Sequence, residues 1–481
     1  MTITPSSSNG QVPALVALIT NAAKVIEAHY SKSAKPFVPS LDDVTPHPLD
    51  SEMTSPGLRE AVQILEGACA QLSATVARPN HTMLNRVMQI YEPGCLHVVL
   101  TFKIPDILQE KPLGMHISEL SSKAGINEGK LGRILRLLAS KHIFREVSKD
   151  VFANNRLSVQ LLSSNPLSSI AMHFTDENNK AVTLLADVLA DPDWGDSLAV
   201  EKTAWNKSSG YSGSLFRFFE GATPEGAKQG ARFGLGMMGW GNAIEANAVI
   251  NGFPWGGLAP GATVCDVGGG IGHITIQLAK AYPELRLKLQ DLPDRIVQAE
   301  TEVWPKECPE AIANQRIEFK AIDFLAEPPI EGCDVYYVRA FLNLTRLIYS
   351  LLARTIQLKN IMHDWPTKEC IQILRNVRKA LKPDSRVLIH EYVLAHADRK
   401  SADAGSAFTP APEPLLPNYG VGRIRQYNLD LDMMVMLNSK ERTLDEFIDI
   451  GEKSGLSFVK LWDLGEMGVV EFRRDCADGD N

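Results

Sequence analysis

The stretch VCDVGGGIGHITIQLAKAYP, residues 264–283, constrains the fold of this chain more than any other. Strand-forming residues at 264–267 run into Gly268, Gly269, Gly270, Ile271 and Gly272, and a helical pattern follows at once. A chain that passes from strand to helix so quickly needs glycine to make the tight turn and to let a ligand lie against bare backbone. The sequence beyond it has matching units: LRLKLQDL, IEFKAIDF, CDVYYV and RVLIHEYVL are apolar runs separated by helical stretches. Strands alternating with helices imply an α/β domain built on a mostly parallel sheet with helices on both faces.

The spacing of the glycines narrows the ligand. A dinucleotide fingerprint, Gly-x-Gly-x-x-Gly, would place its last glycine at 273, where the chain has His273. The observed Gly-x-Gly-x-Gly, led by Asp266, resembles the first motif of S-adenosylmethionine-dependent methyltransferases, and a generic tight turn is the bland alternative. Two further acids end successive strands. Asp291 in LQDLP can accept hydrogen bonds from ribose hydroxyls, and Asp323 with Phe324 in AIDF suits an adenine amino group and ring face. Either acid alone could be a helix cap. Three features at successive strand ends converge on the ligand crevice of an open sheet.

NIMHDWPTKEC sets His363 beyond the fourth strand, on the same rim. Two acids can join it by pattern: Glu391, ending the fifth strand, and Glu441 in NSKERTLDEF. Before this region, HISELSSKAGINEGKLGRILRLLASKHIFREV (116–147) and VFANNRLSVQLL (151–162) give the helix, turn, helix, strand pattern of a winged helix, with Ser118 and Asn127 as expected N-caps and Gly125 as a stop. Lys130, Arg133, Arg136, Lys141 and Arg145 lend some support to DNA binding. The second helix is dominated by Leu131, Ile134, Leu135, Leu137 and Leu138, however, and has few small polar residues to read base edges, which favours a structural or dimer-forming module.

With DVGGGIG, QDLP, IDF, NIMHDW, IHEYVL and KERTLDEF in this order, the chain resembles, over roughly 80 to 475, an O-methyltransferase of the caffeate type, in the version found in fungal secondary metabolism. The resemblance implies a Rossmann-like catalytic domain over 256–475, a winged-helix dimerisation domain over 81–165, a helical linker over 166–255 and an N-terminal extension over 1–80. It implies S-adenosylmethionine as methyl donor, a small phenolic or polyketide acceptor, a homodimer, and neither nucleic acid nor membrane as partner. His363 would be the general base, oriented by Glu391 and Glu441, with Asp364 near the substrate. Gly268, Gly270, Asp291, Asp323, Phe324 and Lys359 would bind the donor. ARFGLGMMGWGNA (231–243) resembles the substrate-lining helix, so Phe233, Met237, Met238 and Trp240 would face the acceptor; ordinary core packing is the alternative. The chemistry agrees. A phenol with a pKa near ~10 keeps its proton at neutral pH, and an imidazole near ~6.5 can take it as the oxygen attacks. No metal is expected. The competing reading is a catalytically impaired cofactor-binding or regulatory protein with the same fold.

Between the fourth strand and NIMHDWP stands VRAFLNLTRLIYSLLARTIQ, residues 338–357, which the family's short connection does not need. Its removal joins DVYY to LKNIMHDWP. The segment is a whole number of codons, and its terminal Val and Gln are compatible with GT and AG ends, so a retained intron is one reading. An inserted helix with Phe341, Leu344, Ile348, Leu351 and Leu352 on one face is the other. The loop 402–422, rich in Pro and Gly, is expected to be a lid or a mobile surface loop.

A formal charge of −8 makes the chain a poor bulk binder of nucleic acid. Seven scattered cysteines without a Cys-x-x-Cys pair speak against a disulfide framework or a zinc site. The first twenty residues lack a basic leader, and no window reads as a membrane helix, so the expected location is the cytoplasm.

Overall fold

A computed structural model describes residues 11–339, 362–399 and 409–475. The chain forms two compact units. The first takes the sequence up to Leu184 together with Ala231–Ala243 and Ala411–Arg423, and the second takes the remainder.

In the first unit the winged-helix pattern is realised. Strands β1 (Met115–His116), β2 (Arg145–Ser148) and β3 (Val151–Ala153) form an antiparallel sheet in the order β1-β3-β2. The helices Ile117–Ala124 and Glu128–Ser140 precede β2. Leu131, Leu135 and Leu138 recur at helical spacing, are fully buried and pack with Ile104, Leu120 and Phe152. Gly125 stops the first helix at φ 68° and Asn127 caps the second by accepting from Lys130 N–H. The first cap differs from expectation: His116, whose ring accepts from Ser118 N–H, takes the place expected for Ser118.

Two departures concern the ends of this unit. The helix Gln11–Tyr30 is long and apolar enough to cross a membrane by length and composition alone, where the sequence was expected to hold no membrane-length apolar window. It pairs with the helix Pro56–Val76, and the two bury Leu15 and Ala68 in one small cluster with Ala411, Leu415 and Tyr419. The described part of the 402–422 loop is thus anchored in this unit rather than free, and Pro414 O accepts from Gln71 Nε2 at 2.8 Å.

In the second unit a seven-stranded sheet carries the fold. Its strands are β4 (Thr263–Val267), β5 (Arg286–Asp291), β6 (Ile317–Ala321), β7 (Val335–Arg339), β8 (Arg386–Glu391), β11 (Leu456–Asp463) and β12 (Gly468–Arg474). They lie in the order β6-β5-β4-β7-β8-β12-β11, parallel from β6 to β8 and antiparallel from there on. Alternation along each strand feeds two cores. Val335, Tyr337 and Leu388 join one cluster, whereas Tyr336, Val338, Val387 and Ile389 join the other, so helices cover both faces. This is the α/β, mixed and mostly parallel Rossmann-like domain read from the sequence. β4 and β7 flank the point where strand order reverses, the place where open sheets bind ligands.

A second pairing matters for the site. Two short strands, β9 (Val393–Leu394) and β10 (Arg442–Thr443), run parallel with Arg442 opposite Val393. That register sets residue 441 beside the end of β8.

Residues 340–361 lie outside the described residues. Lys359 and most of the 338–357 insertion fall there. Its first two residues do not: Val338 and Arg339 complete β7, opposite Ile389 and His390.

Candidate active site

The glycine turn is built as its sequence demands. Gly268, Gly270 and Gly272 hold φ of 76°, 63° and 88°, a region other residues enter at a cost. A Cβ at Gly269 would run into the Asp266 carboxylate and Leu289, so the turn can close only with glycine there. A Cβ at Gly270 would meet nothing within 4 Å, which leaves open space against that backbone. Gly268 N–H donates to Gln290 O at 2.8 Å, tying the turn to the neighbouring strand. Asp266 accepts from the Thr275 hydroxyl.

Asp291 is buried at the end of β5. It accepts Gly270 N–H at 2.8 Å on Oδ2 and Leu292 N–H at 2.7 Å on Oδ1. A carboxylate has about four acceptor positions, so both oxygens keep capacity for a ligand's hydroxyls. Asp323, just past β6, is exposed and accepts Leu325 N–H at 3.1 Å. Phe324 is half-buried against the second core. Gly268, Gly270, Asp291, Asp323 and Phe324 therefore share the C-terminal edge of three adjacent parallel strands.

The second constellation surrounds His363, which is 7% exposed. Its Nδ1–H donates to Glu441 Oε1 at 2.6 Å, and Glu391 Oε2 lies 4.0 Å from the same nitrogen. Glu391 Oε1 accepts Met362 N–H at 3.1 Å, and Glu441 N–H donates to Asp430 Oδ1 at 2.9 Å. On the opposite side of the ring, Asp364 Oδ1 lies 3.6 Å from Nε2. Among the described residues Nε2 has no hydrogen-bond partner, and neither does either oxygen of Asp364. The β9–β10 register explains the meeting of distant residues: Glu391 ends β8 and Glu441 stands immediately before β10.

The electrostatics follow from this crowding. Burial disfavours a charged imidazole, but Glu441, Glu391 and Asp364 together outweigh it and push His363 up to about 10. Burial raises Glu391 to about 6, although the His363 charge draws it down. Asp364 is raised well above the ordinary carboxylate range, first by burial and then by the two glutamates, against the opposing pull of His363. The cluster can thus take a proton at Nε2 and stabilise the resulting cation. His363, Glu391 and Glu441 also offer donor atoms within 4.8 Å of one another, a spacing open to a metal ion. Glu441 Oε1 and Glu391 Oε1 are engaged by hydrogen bonds, and the second oxygen of each has no hydrogen-bond partner among the described residues.

The structure puts the expected acceptor-lining residues Phe233, Met237 and Trp240 in the first unit. There Phe233 packs edge-on against His173, with centroids 4.8 Å apart, and Trp240 lies 5.7 Å from Phe174. Met238 is exposed. The glycines of this helix serve packing: a Cβ at Gly236 or Gly239 would strike the backbone of Ile170 or Leu167. Arg442, fully buried beside Glu441, was not singled out from the sequence; a cation next to an acid in KERT was the available signal.

Comparison with known proteins identifies the family. The O-methyltransferase domain family matches residues 193–343 and 352–457, with a break inside the 338–357 insertion. The O-methyltransferase dimerisation domain family matches residues 71–164. The chain is 43% identical to 3-O-methyltransferase 2 of Phanerochaete chrysosporium, covering 98% of each chain. It is 33% identical to O-methyltransferase gedA of Aspergillus terreus, covering 93% of this chain and 92% of that one. OxaC, solved with SAH and oxaline, shares the fold at a TM-score of 0.63 and 20% identity, over 97% of this chain and all of the other. The chain belongs to the O-methyltransferase family, with that family's N-terminal dimerisation domain followed by its catalytic domain.

Proposed function

We propose that this enzyme transfers the methyl group of S-adenosylmethionine to a hydroxyl of a small aromatic or polyketide-type metabolite, with His363 as general base and without a metal. The observation that carries this reading is the one-sided engagement of the His363 ring. Glu441 holds Nδ1–H at 2.6 Å, which fixes the ring and leaves the buried Nε2, without a hydrogen-bond partner among the described residues, as the nitrogen that gains and gives up the titrating proton.

The residues present suit the donor: an open cradle at Gly270, the Asp291 carboxylate at the end of the next strand, and Asp323 with Phe324 beyond. When bound, the sulfonium supplies an electrophilic methyl group. The protein's own contribution is acid–base and positional. Nε2 accepts the hydroxyl proton, so that negative charge develops on oxygen only as attack proceeds. Glu441 and Glu391 stabilise the imidazolium. A base pushed up to about 10 matches the ordinary pKa of a phenol, about 10, so the proton passes between groups of similar affinity. Asp364, 3.6 Å from Nε2 on the side of the ring away from Glu441, is placed to meet the acceptor molecule, and burial favours its protonated, hydrogen-bond-donating form.

A homodimer fits this reading. Within the dimerisation match, Val76, Met83, Leu84, Val87, Met88, Ile90 and Tyr91 are each at least half exposed, apolar surface of the kind a second copy covers. Methyl transfer is tested with isotope-labelled S-adenosylmethionine and a library of phenols and polyketides, reading products by mass spectrometry. Labelled ether products support the proposal. Donor binding without transfer to any acceptor supports the impaired-enzyme alternative instead.

A further inference from the structure

The dipeptide Glu441–Arg442 grips the catalytic turn twice, and the second grip is not explained by the roles assigned so far. Arg442 is 1% exposed, one of the largest fully buried side chains among the described residues. Its Nη2 donates to Trp365 O at 2.6 Å and its Nη1 donates to Met362 O. One guanidinium therefore spans the carbonyls on either side of His363 and Asp364. The same turn is held by Glu391 through Met362 N–H at 3.1 Å, and by Glu441 through the ring. Cys370 Sγ adds a weak contact to Met362 O at 3.2 Å.

Burying an arginine against two neutral carbonyls is costly unless nearby anions compensate. Here they do. The titratable groups around it are Asp364, Glu391, Glu441, Glu446 and Cys370, with Asp430 behind Glu441 and Glu369 beside Cys370. Glu391 and Glu441 oppose the charges of Arg442 and the imidazolium. When His363 gives up its proton, Arg442 is the positive charge that remains in the cluster. A lysine could supply that charge but not the planar fork that meets two carbonyls at once.

We infer that Arg442 is a positioning residue for methyl transfer: its fork fixes the 362–365 turn that carries His363 and Asp364, and its charge offsets the glutamates around the His363 ring. The inference rests on the base role of His363 proposed above. Its test uses a measurement that needs no turnover, so that failure of one can be told from failure of the other.

The test compares wild type, Arg442→Lys and Arg442→Met in the full-length protein. The first measurement is the NMR titration of the His363 ring in protein without donor, assigned with a His363→Gln sample. Arg442→Met is expected to raise the ring's midpoint by about one unit, because the glutamates then act unopposed, while Arg442→Lys stays near wild type. The second measurement is steady-state kinetics. Both variants are expected to lose kcat, by about 100-fold for Met and less for Lys, with the acceptor KM little changed. Should Arg442→Met fail to fold, Arg442→Lys decides through its kcat loss at an unmoved titration, with partial rescue of Arg442→Ala by added methylguanidinium. Unchanged titration in Met and wild-type kcat in Lys would overturn the inference. So would loss of kcat in folded variants matched by loss of donor affinity, since a general structural defect predicts that pattern.

Discussion

The Nδ1 of His363 stands 2.6 Å from Oε1 of Glu441, although 78 residues separate them in sequence. A hydrogen bond of that length between a buried imidazole and a buried carboxylate fixes both the rotation of the ring and the nitrogen that carries its proton. The remaining nitrogen is the only ring atom left for chemistry.

Glu441→Gln is expected to keep the fold and the hydrogen bond while removing the charge that stabilises the imidazolium. We predict a drop in kcat of ~10–1000-fold and a downward shift of the His363 midpoint. Steady-state kinetics and ring titration check it. A variant with full activity and an unmoved midpoint would show that Glu441 only packs.

The pH dependence has a definite sign. The base acts in its neutral form, and His363 is raised to about 10, so kcat/KM should climb through the neutral range and level off only in alkali. Stability should run the opposite way. A folded-state pKa above the unfolded value of 6.5 gives stabilisation that is complete below 6.5 and is lost as pH rises toward about 10. Glu391, raised to about 6, adds a smaller loss in the same direction at lower pH. Urea unfolding between pH 5 and 10 measures this, and His363→Gln should flatten the alkaline part.

At the donor crevice, Gly270→Val forces a branched side chain into φ 63°, and Asp291→Ala removes the acceptor that holds the Gly270 amide at 2.8 Å. Each is expected to weaken donor affinity by at least ~10-fold, the equivalent of about 1.4 kcal/mol. Titration calorimetry with S-adenosylmethionine and with its thioether product checks both variants.

The exposed apolar run within the dimerisation match predicts a separate phenotype. Leu84→Asp with Val87→Asp places two charges where 56% and 65% of these residues are exposed. Sedimentation velocity should show wild type as a dimer and the double variant as a monomer. A dimeric variant would move the interface elsewhere.

The insertion gives a further prediction, motivated by the break in the family match and by the uninterrupted join of DVYY to LKNIMHDWP on removal. Val338 and Arg339 end β7, and deleting 338–357 offers Leu358 and Lys359 for the same two positions. Deletion should raise activity, and the transcript should occur in a form lacking these codons. Loss of activity on deletion would identify the segment as a working part of the enzyme.

Much of this site could be read from the chain because its chemistry sits at strand ends. An apolar run, a glycine turn and an acid closing the next run are local patterns, and a parallel sheet converts their order into proximity. His363 and Glu391 were visible for the same reason. Glu441 could be set beside the ring by its pattern in NSKERTLDEF, and its orienting role by the resemblance, but the pairing of β9 with β10 that brings it there is two residues long, too short to leave a hydrophobic period. Arg442 escaped notice because a buried arginine differs from a surface one only in its tertiary partners. Likewise the anchoring of Leu415 and Tyr419 beside Leu15 is a long-range contact that a Pro-rich composition conceals.

The central claim is that His363 removes the proton from the attacking hydroxyl. Single-turnover transfer of labelled methyl, measured for wild type and His363→Ala with donor affinity determined on the same samples, tests it most directly. The account predicts unchanged donor affinity and a transfer rate lower by ~100–10,000-fold, recovering as pH rises and the acceptor ionises unaided. Transfer by His363→Ala at the wild-type rate near neutral pH would contradict it.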